Sequence, residues 1–177
     1  MKKLLPLLFT LVCLNAFAQR NPEDPYTSKA ISFGPELLLP GKTAYNYGVG
    51  ASLKVEYPFS DLISFTGAVR YAQLHYTVSE DIFGKFQDYK AIPVLVGAKF
   101  FLDPDLYADV EAGAAFGINY DKQKSLALSF TLGYIFPIKN STGLDVGVRF
   151  DDWGRDRFRA VDLRVAYRIA WWNNTKK

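Results

Sequence analysis

The stretch "SLALSFTLGYIFPIK", residues 125–139, decides the fold. Leu126, Leu128, Phe130, Leu132, Tyr134, Phe136 and Ile138 alternate with Ala127, Ser129, Thr131, Gly133 and Ile135. A period of two marks a β-strand whose two faces meet different surroundings. The fold class turns on what the apolar face meets, the protein's own core or lipid.

The alternation recurs along the chain. It predicts eight strands at 29–39, 45–59, 63–78, 89–101, 106–120, 125–138, 144–151 and 158–172, the seventh of them short. No segment has a helical period. In the second strand Tyr47, Val49, Leu53, Val55 and Tyr57 oppose Gly48, Gly50, Ser52, Lys54 and Glu56. In the fifth, Leu106, Val110 and Phe116 oppose Tyr107, Asp109, Glu111 and Gly113. In the eighth, Val161, Leu163, Val165 and Tyr167 oppose Asp162, Arg164 and Arg168. The fourth strand is the poorest, because Leu95 falls on its polar side. Tight turns at 60–62, 103–105 and 139–143 alternate with the loops 41–44, 79–88, 121–124 and 152–157. An up-and-down antiparallel barrel, with a turn end and a loop end, has that order.

Three features place lipid outside. The polar face is mostly Gly, Ala and Ser with sparse charges, which suits the cramped lumen of an eight-stranded barrel. The apolar face is bulky on nearly every strand, too bulky for that lumen. Aromatic residues gather near strand ends, as in the interfacial girdles of membrane barrels. The set is Tyr45, Tyr47, Tyr57, Phe59, Tyr71, Tyr76, Tyr89, Phe100, Phe101, Tyr107, Phe116, Tyr120, Tyr134, Phe136, Phe150, Trp171 and Trp172. The expected fold is an all-β, eight-stranded up-and-down antiparallel transmembrane β-barrel. Pro35 and Pro93 each remove a ladder donor, so a bulge or local break is expected at each.

The chain has 177 residues and a formal net charge of +3, two charges of which are Lys2 and Lys3. So small a charge excludes an electrostatic case for nucleic acid. Lys2-Lys3, the apolar run 4–14 and Ala16-Phe17-Ala18 form a secretory signal peptide over 1–18. A polar leader, 19–28, precedes the barrel at 29–172, and a polar tail follows at 173–177. The one cysteine, Cys13, lies in the signal, so no disulfide is expected in the exported chain. Export would leave both chain ends and the tight turns in the periplasm and the loops outside.

"YKAIPVLVGAKFFL" (89–102) and "LYADVEAGAAFGI" (106–118) resemble a Bacteroidetes-type outer-membrane β-barrel family, the PorT-like barrel group. The shared pattern is an Ile-Pro strand, a short turn, and a strand with an acidic residue before glycines, here Pro93, Glu111 and Gly113. The resemblance implies an outer-membrane barrel with no agreed activity. Trp171 and Trp172 are followed by five polar residues, a departure from the terminal aromatic that many such barrels carry.

The inward face carries Glu36, Lys54, Glu56, Arg70, Lys99, Asp109, Glu111, Asp145, Arg149, Asp151, Asp162, Arg164 and Arg168. Seven acids and six bases nearly cancel, which argues against an ion-selective pore and for a salt-bridged plug. Hairpin register sets Lys99 opposite Asp109 and predicts a pair, with Arg149 and Asp162 near neighbours. His75 has Thr77 on the same face, but no orienting acid is evident. No metal-ligand cluster or phosphate loop is present in the sequence. The leading reading is a non-enzymatic structural or surface-interaction barrel in the cell outer membrane, with no cofactor. Its partners are outer-membrane lipid and an envelope protein, and the barrel is monomeric. The alternatives are a component of an envelope secretion or assembly complex, a lipid-modifying enzyme using His75, and a secreted soluble barrel binding an apolar ligand. The loops "SEDIFGKFQDY" and "DDWGRDRFR", the second with Trp153, offer adhesive surface.

Overall fold

The computed structural model describes residues 28–41, 45–76, 88–119, 124–139, 141–154 and 158–171. The expected signal peptide, the leader up to residue 27 and the polar tail lie outside the described residues. The strands are β1 (Lys29–Pro40), β2 (Tyr45–Pro58), β3 (Ile63–Tyr76), β4 (Tyr89–Phe101), β5 (Leu106–Gly117), β6 (Lys124–Lys139), β7 (Thr142–Trp153) and β8 (Phe158–Trp171). Each pairs antiparallel with the next, and β1 closes on β8. The seventh strand is longer than expected. Gly143 still pairs with Pro137, and Thr142 with Lys139 after a register shift, so pairing continues into what reads as turn.

β6 answers the question its sequence poses. Phe130 is 40% exposed, while its neighbours Ser129 and Thr131 are 4% and 1% exposed. Leu126, Leu128, Leu132, Tyr134, Phe136 and Ile138 point outward with it. The same split holds on every strand, with Phe33, Leu53, Val69, Val96, Val110, Leu132, Val148 and Leu163 all outward from β1 to β8 in turn. A continuous apolar belt around a closed barrel is stable in lipid and unstable in water. The belt overturns the soluble-barrel alternative, whose apolar faces would point inward.

Four aromatics assigned to the girdles belong inside. Phe101 and Tyr107 are buried in the lumen with Ile135, and Tyr45 and Tyr89 pack against a buried apolar cluster. They sit near strand ends, as girdle residues do, but on the inner parity of the pleat. Tyr120 and Trp172 lie outside the described residues.

Pro35 and Pro93 produce breaks rather than bulges. The β1–β8 ladder runs to Phe33↔Tyr167 and resumes at Glu36↔Arg164 in the same register. The β3–β4 ladder likewise skips from Val69↔Val94 to Ala72↔Ala91. Each proline keeps its pairing with the strand on its other side, Ala51 for Pro35 and Ala115 for Pro93.

Phe130→Arg would put a cation on the belt near the middle of β6. It should destabilise the barrel folded in lipid bilayers by about 2–4 kcal/mol. Reversible folding titration into vesicles measures this, and an effect near zero would mean that the face does not meet hydrocarbon.

Candidate functional site

The lumen is filled in three layers. Toward the loop end Leu38, Leu74, Leu95, Trp153 and Phe158 form an apolar layer floored by alanines. The rings of Trp153 and Phe158 lie 4.8 Å apart, and Tyr45 meets Phe158 at 6.1 Å. Toward the turn end Phe101, Tyr107 and Ile135 form a smaller layer. The Tyr107 ring lies over Gly133, its partner on β6, where a Cβ would collide with it. Leu95, the misfit of the fourth strand, is part of the upper layer and 1% exposed.

The thirteen charged residues predicted to face inward lie between these layers, none more than 4% exposed. Glu36 is the hub. It accepts from Arg70 Nε at 3.0 Å and from Arg149 Nη1 and Nη2 at 3.0 Å, with Arg164 Nε at 3.6 Å. Arg70 also holds Asp151 at 2.7 Å and Asp162 at 2.6 Å. Arg164 reaches Asp145 at 2.9 Å, and Arg168 reaches Glu56 at 3.0 Å. Lys99 pairs with Glu56 and lies 3.8 Å from Asp145. Lys54 bridges Asp109 at 2.5 Å and Glu111 at 3.0 Å.

The predicted register is present, but the predicted pair is not. Lys99 does stand opposite Asp109, yet it turns to Glu56 on β2, while Asp109 takes Lys54. Arg149 stands opposite Asp162 but 4.0 Å from it, and its close partner is Glu36. On a tightly curved inner face long side chains converge toward the barrel axis, so partners come from across the lumen rather than from the adjacent strand. Small polar side chains complete the network. Ser32 and Ser52 accept from Arg164, Ser129 donates to Asp151, and the Tyr107 hydroxyl donates to Asp145. The sequence reading took small inner residues such as Ser52 and Ser129 as space-filling and Tyr107 as a girdle aromatic; their inner parity beside charged residues was the available signal.

The network meets its two lids through rings. The Arg70 guanidinium lies 5.8 Å from the Trp153 ring centre, and Lys99 Nζ lies 4.0 Å from that of Tyr107. Trp153 is therefore a lumen lid rather than part of a displayed loop. Most of the outward loops lie outside the described residues, while Arg159 and Asp152 form an exposed pair at 3.0 Å.

His75 faces outward at the loop end, and an acid does orient it. Asp88 Oδ2 lies 2.9 Å from His75 Nδ1 and accepts from Gln73 Nε2 at 2.7 Å. Extending the pairing Leu74↔Tyr89 by one residue would have found it. Thr77 lies outside the described residues. Among the described residues no three His, Cys, Asp or Glu side chains are grouped so as to hold a metal ion.

No family model matches the chain, and no curated protein matches it, so the PorT-like resemblance rests on Pro93, Glu111 and Gly113 alone. Solved structures do match. A crystal structure of Ail, the attachment invasion locus protein of Yersinia pestis, aligns with a TM-score of 0.55 and 17% identity over 80% of this chain and 99% of that one. The same protein in complex with the heparin analogue sucrose octasulfate gives a TM-score of 0.56 and 17% identity over 80% and 98%. The backbone structure of the outer membrane protein Ail in a phospholipid bilayer nanodisc gives 0.56 and 15% identity over 81% and 99%. At these identities the likeness shows the fold, a closed eight-stranded antiparallel barrel.

Glu36→Gln leaves three guanidinium groups short of a carboxylate in a dry lumen and should cost about 3–5 kcal/mol. Asp152→Asn breaks only the exposed pair and should cost less than about 1 kcal/mol. Urea unfolding in detergent compares the two. Equal effects would mean that water reaches the lumen network.

Proposed function

We propose that the chain is a non-enzymatic outer-membrane β-barrel with a closed lumen, which acts as a structural or surface-interaction protein through its loop end. One observation carries this reading. Among the described residues the lumen holds an interlocked charge network between two apolar layers, with none of its thirteen charged residues more than 4% exposed, which supports a closed barrel. A barrel that cannot conduct works through its ends. The sequence signal for export supports outer-membrane insertion with the tight turns in the periplasm, and the Ail-type neighbours support the same membrane. Attachment, the role in Ail's name, fits a barrel whose loops mix aromatic and charged residues.

The resemblance at Pro93, Glu111 and Gly113 favours a second reading, in which the chain is one component of an envelope secretion or assembly complex. Crosslinking in intact cells followed by purification separates the two. A stoichiometric envelope partner supports the complex, and a lone monomer supports the surface role. The His75–Asp88 pair orients an imidazole toward the headgroup region, but among the described residues it has no nucleophile beside it. His75→Ala should leave the membrane lipid profile unchanged, and an altered profile would restore the enzyme reading.

Closure itself is tested by reconstitution in planar bilayers. The purified barrel should give no large, stable conductance step. Trp153→Ala together with Tyr107→Ala thins both lids and should raise the leak. A persistent open pore in the unmodified protein would overturn the proposal.

A further inference from the structure

The outer wall of the barrel carries a groove of about 1290 Å³. Register traces its floor. Thr66, Gly97, Glu111, Ser129, Asp151 and Ala160 stand side by side from β3 to β8, each paired with the next. The pleat turns these residues inward, so what they offer the groove is backbone. Thr66 lies near the turn end of β3 and Ala160 near the loop end of β8. The groove therefore climbs the belt as it goes round.

Two rows of outward residues form its banks. On the turn side these are Phe65, Ala98, Val110, Phe130, Phe150 and Val161, again in register from strand to strand. On the loop side Val96, Ala112 and Leu128 begin the row, and Asp152 and Arg159 end it on β7 and β8. Alanines at 98 and 112 leave the groove wide at β4 and β5. An apolar trough thus runs up to an ion pair. Arg159 meets Asp152 through Nε at 3.0 Å, and its side chain is 69% exposed. Among the described residues its Nη1 and Nη2 have no partner.

A trough in the belt of a membrane barrel is filled by lipid chains. Three strand spacings of about 4.8 Å lead from β8 back to β5, a path of about 14 Å. An acyl chain reaches about as far, since one leaflet is half of a ~30 Å hydrocarbon core. A lipid with its headgroup at Arg159 can lay one chain past Phe150, Leu128 and Phe130 to Ala112. Asp152 fixes the Nε edge of the guanidinium and leaves the Nη pair for an oxyanion, and a phosphate suits such a fork. The adjoining loops, 41–44 and 152–157, add Lys42, Arg155 and Arg157 against Asp156, whereas the loop 79–88 carries Glu80, Asp81 and Asp88 against Lys85. The charge at the β7–β8–β1 corner therefore favours an anionic headgroup.

We propose that this groove seats one anionic lipid of the loop-side leaflet, with an acyl chain along the floor and its phosphate on Arg159. The inference rests on the barrel being set in lipid, not on the role of its loops.

The test reconstitutes the barrel into vesicles of phosphatidylglycerol and phosphatidylcholine in equal amounts, extracts it in mild detergent and weighs it by native mass spectrometry. One lipid per barrel is expected to stay bound, phosphatidylglycerol over phosphatidylcholine by several-fold. Arg159→Gln should abolish the preference. Ala112→Phe fills the groove from the lipid side and should abolish retention of either lipid. Asp152→Asn removes the carboxylate beside the phosphate and should sharpen the preference. The heat-modifiable gel shift verifies that each variant is folded, and the unmodified barrel with Asp152→Asn decides the matter if either of the others is not. Equal retention of the two lipids by the unmodified barrel, a preference that survives Arg159→Gln and Ala112→Phe, or a second copy of the chain in place of lipid would overturn the inference. So would an inserted, folded barrel that keeps no lipid. A chain that enters no vesicle would overturn the membrane barrel itself.

Discussion

The structure depends on being dry on both sides of one wall. Lipid meets the outer face, so every backbone donor and acceptor within the belt must be answered inside the sheet. Closing β1 on β8 does this, because a closed sheet has no edge. The inner face is nearly as dry, because apolar layers cap it at both ends. Charges held there have no solvent to fall back on and must satisfy one another. Glu36 faces three guanidinium groups, and Arg70 faces three carboxylates; neither could exist there singly. The network and the belt are therefore two consequences of one wall.

The fold was legible because a pleated strand reports its two environments at every second residue. The row Ala127, Ser129, Thr131 and Gly133 is small for specific reasons. Ser129 donates to Asp151, Thr131 lies beside Arg149, and Gly133 lies under the Tyr107 ring. Parity also identified which charges face inward. Their partners were not legible, because partner choice depends on how side chains converge across the lumen, and hairpin register speaks only of adjacent strands. Lys99 shows the difference, opposite Asp109 in register but bonded to Glu56.

Aromatic position misled where parity would not have. Phe101 and Tyr107 lie near strand ends, as girdle residues do, but their burial follows the inner parity of β4 and β5. Trp153 read as loop decoration because its neighbours are acids and glycine, yet it ends β7 pointing inward. The general lesson for a narrow barrel is that an aromatic at a strand end has two uses, girdle or lid. The pleat decides between them, not the distance from the turn. Asp88 was missed for a related reason. It precedes β4 in a polar loop, and only the extended ladder brings it to His75.

Why fill a lumen with charge, when buried ion pairs are often no more stabilising than apolar groups of similar volume? Register offers an answer. A one-residue slip in any ladder moves every side chain of a strand to the opposite face. In an apolar lumen that slip would exchange one greasy face for another. Here it would carry Arg149 and Asp151, or Arg164 and Asp162, into hydrocarbon and drop Leu163 or Phe150 among charges. The charges make the wrong register expensive rather than the right one unusually stable. The irregularities fit this account. The register shifts at Tyr45/Tyr47 and Pro137/Lys139 lie at strand ends, outside the charged layer. The proline gaps at Pro35 and Pro93 fall within reach of that layer, and there the ladder skips pairs without slipping.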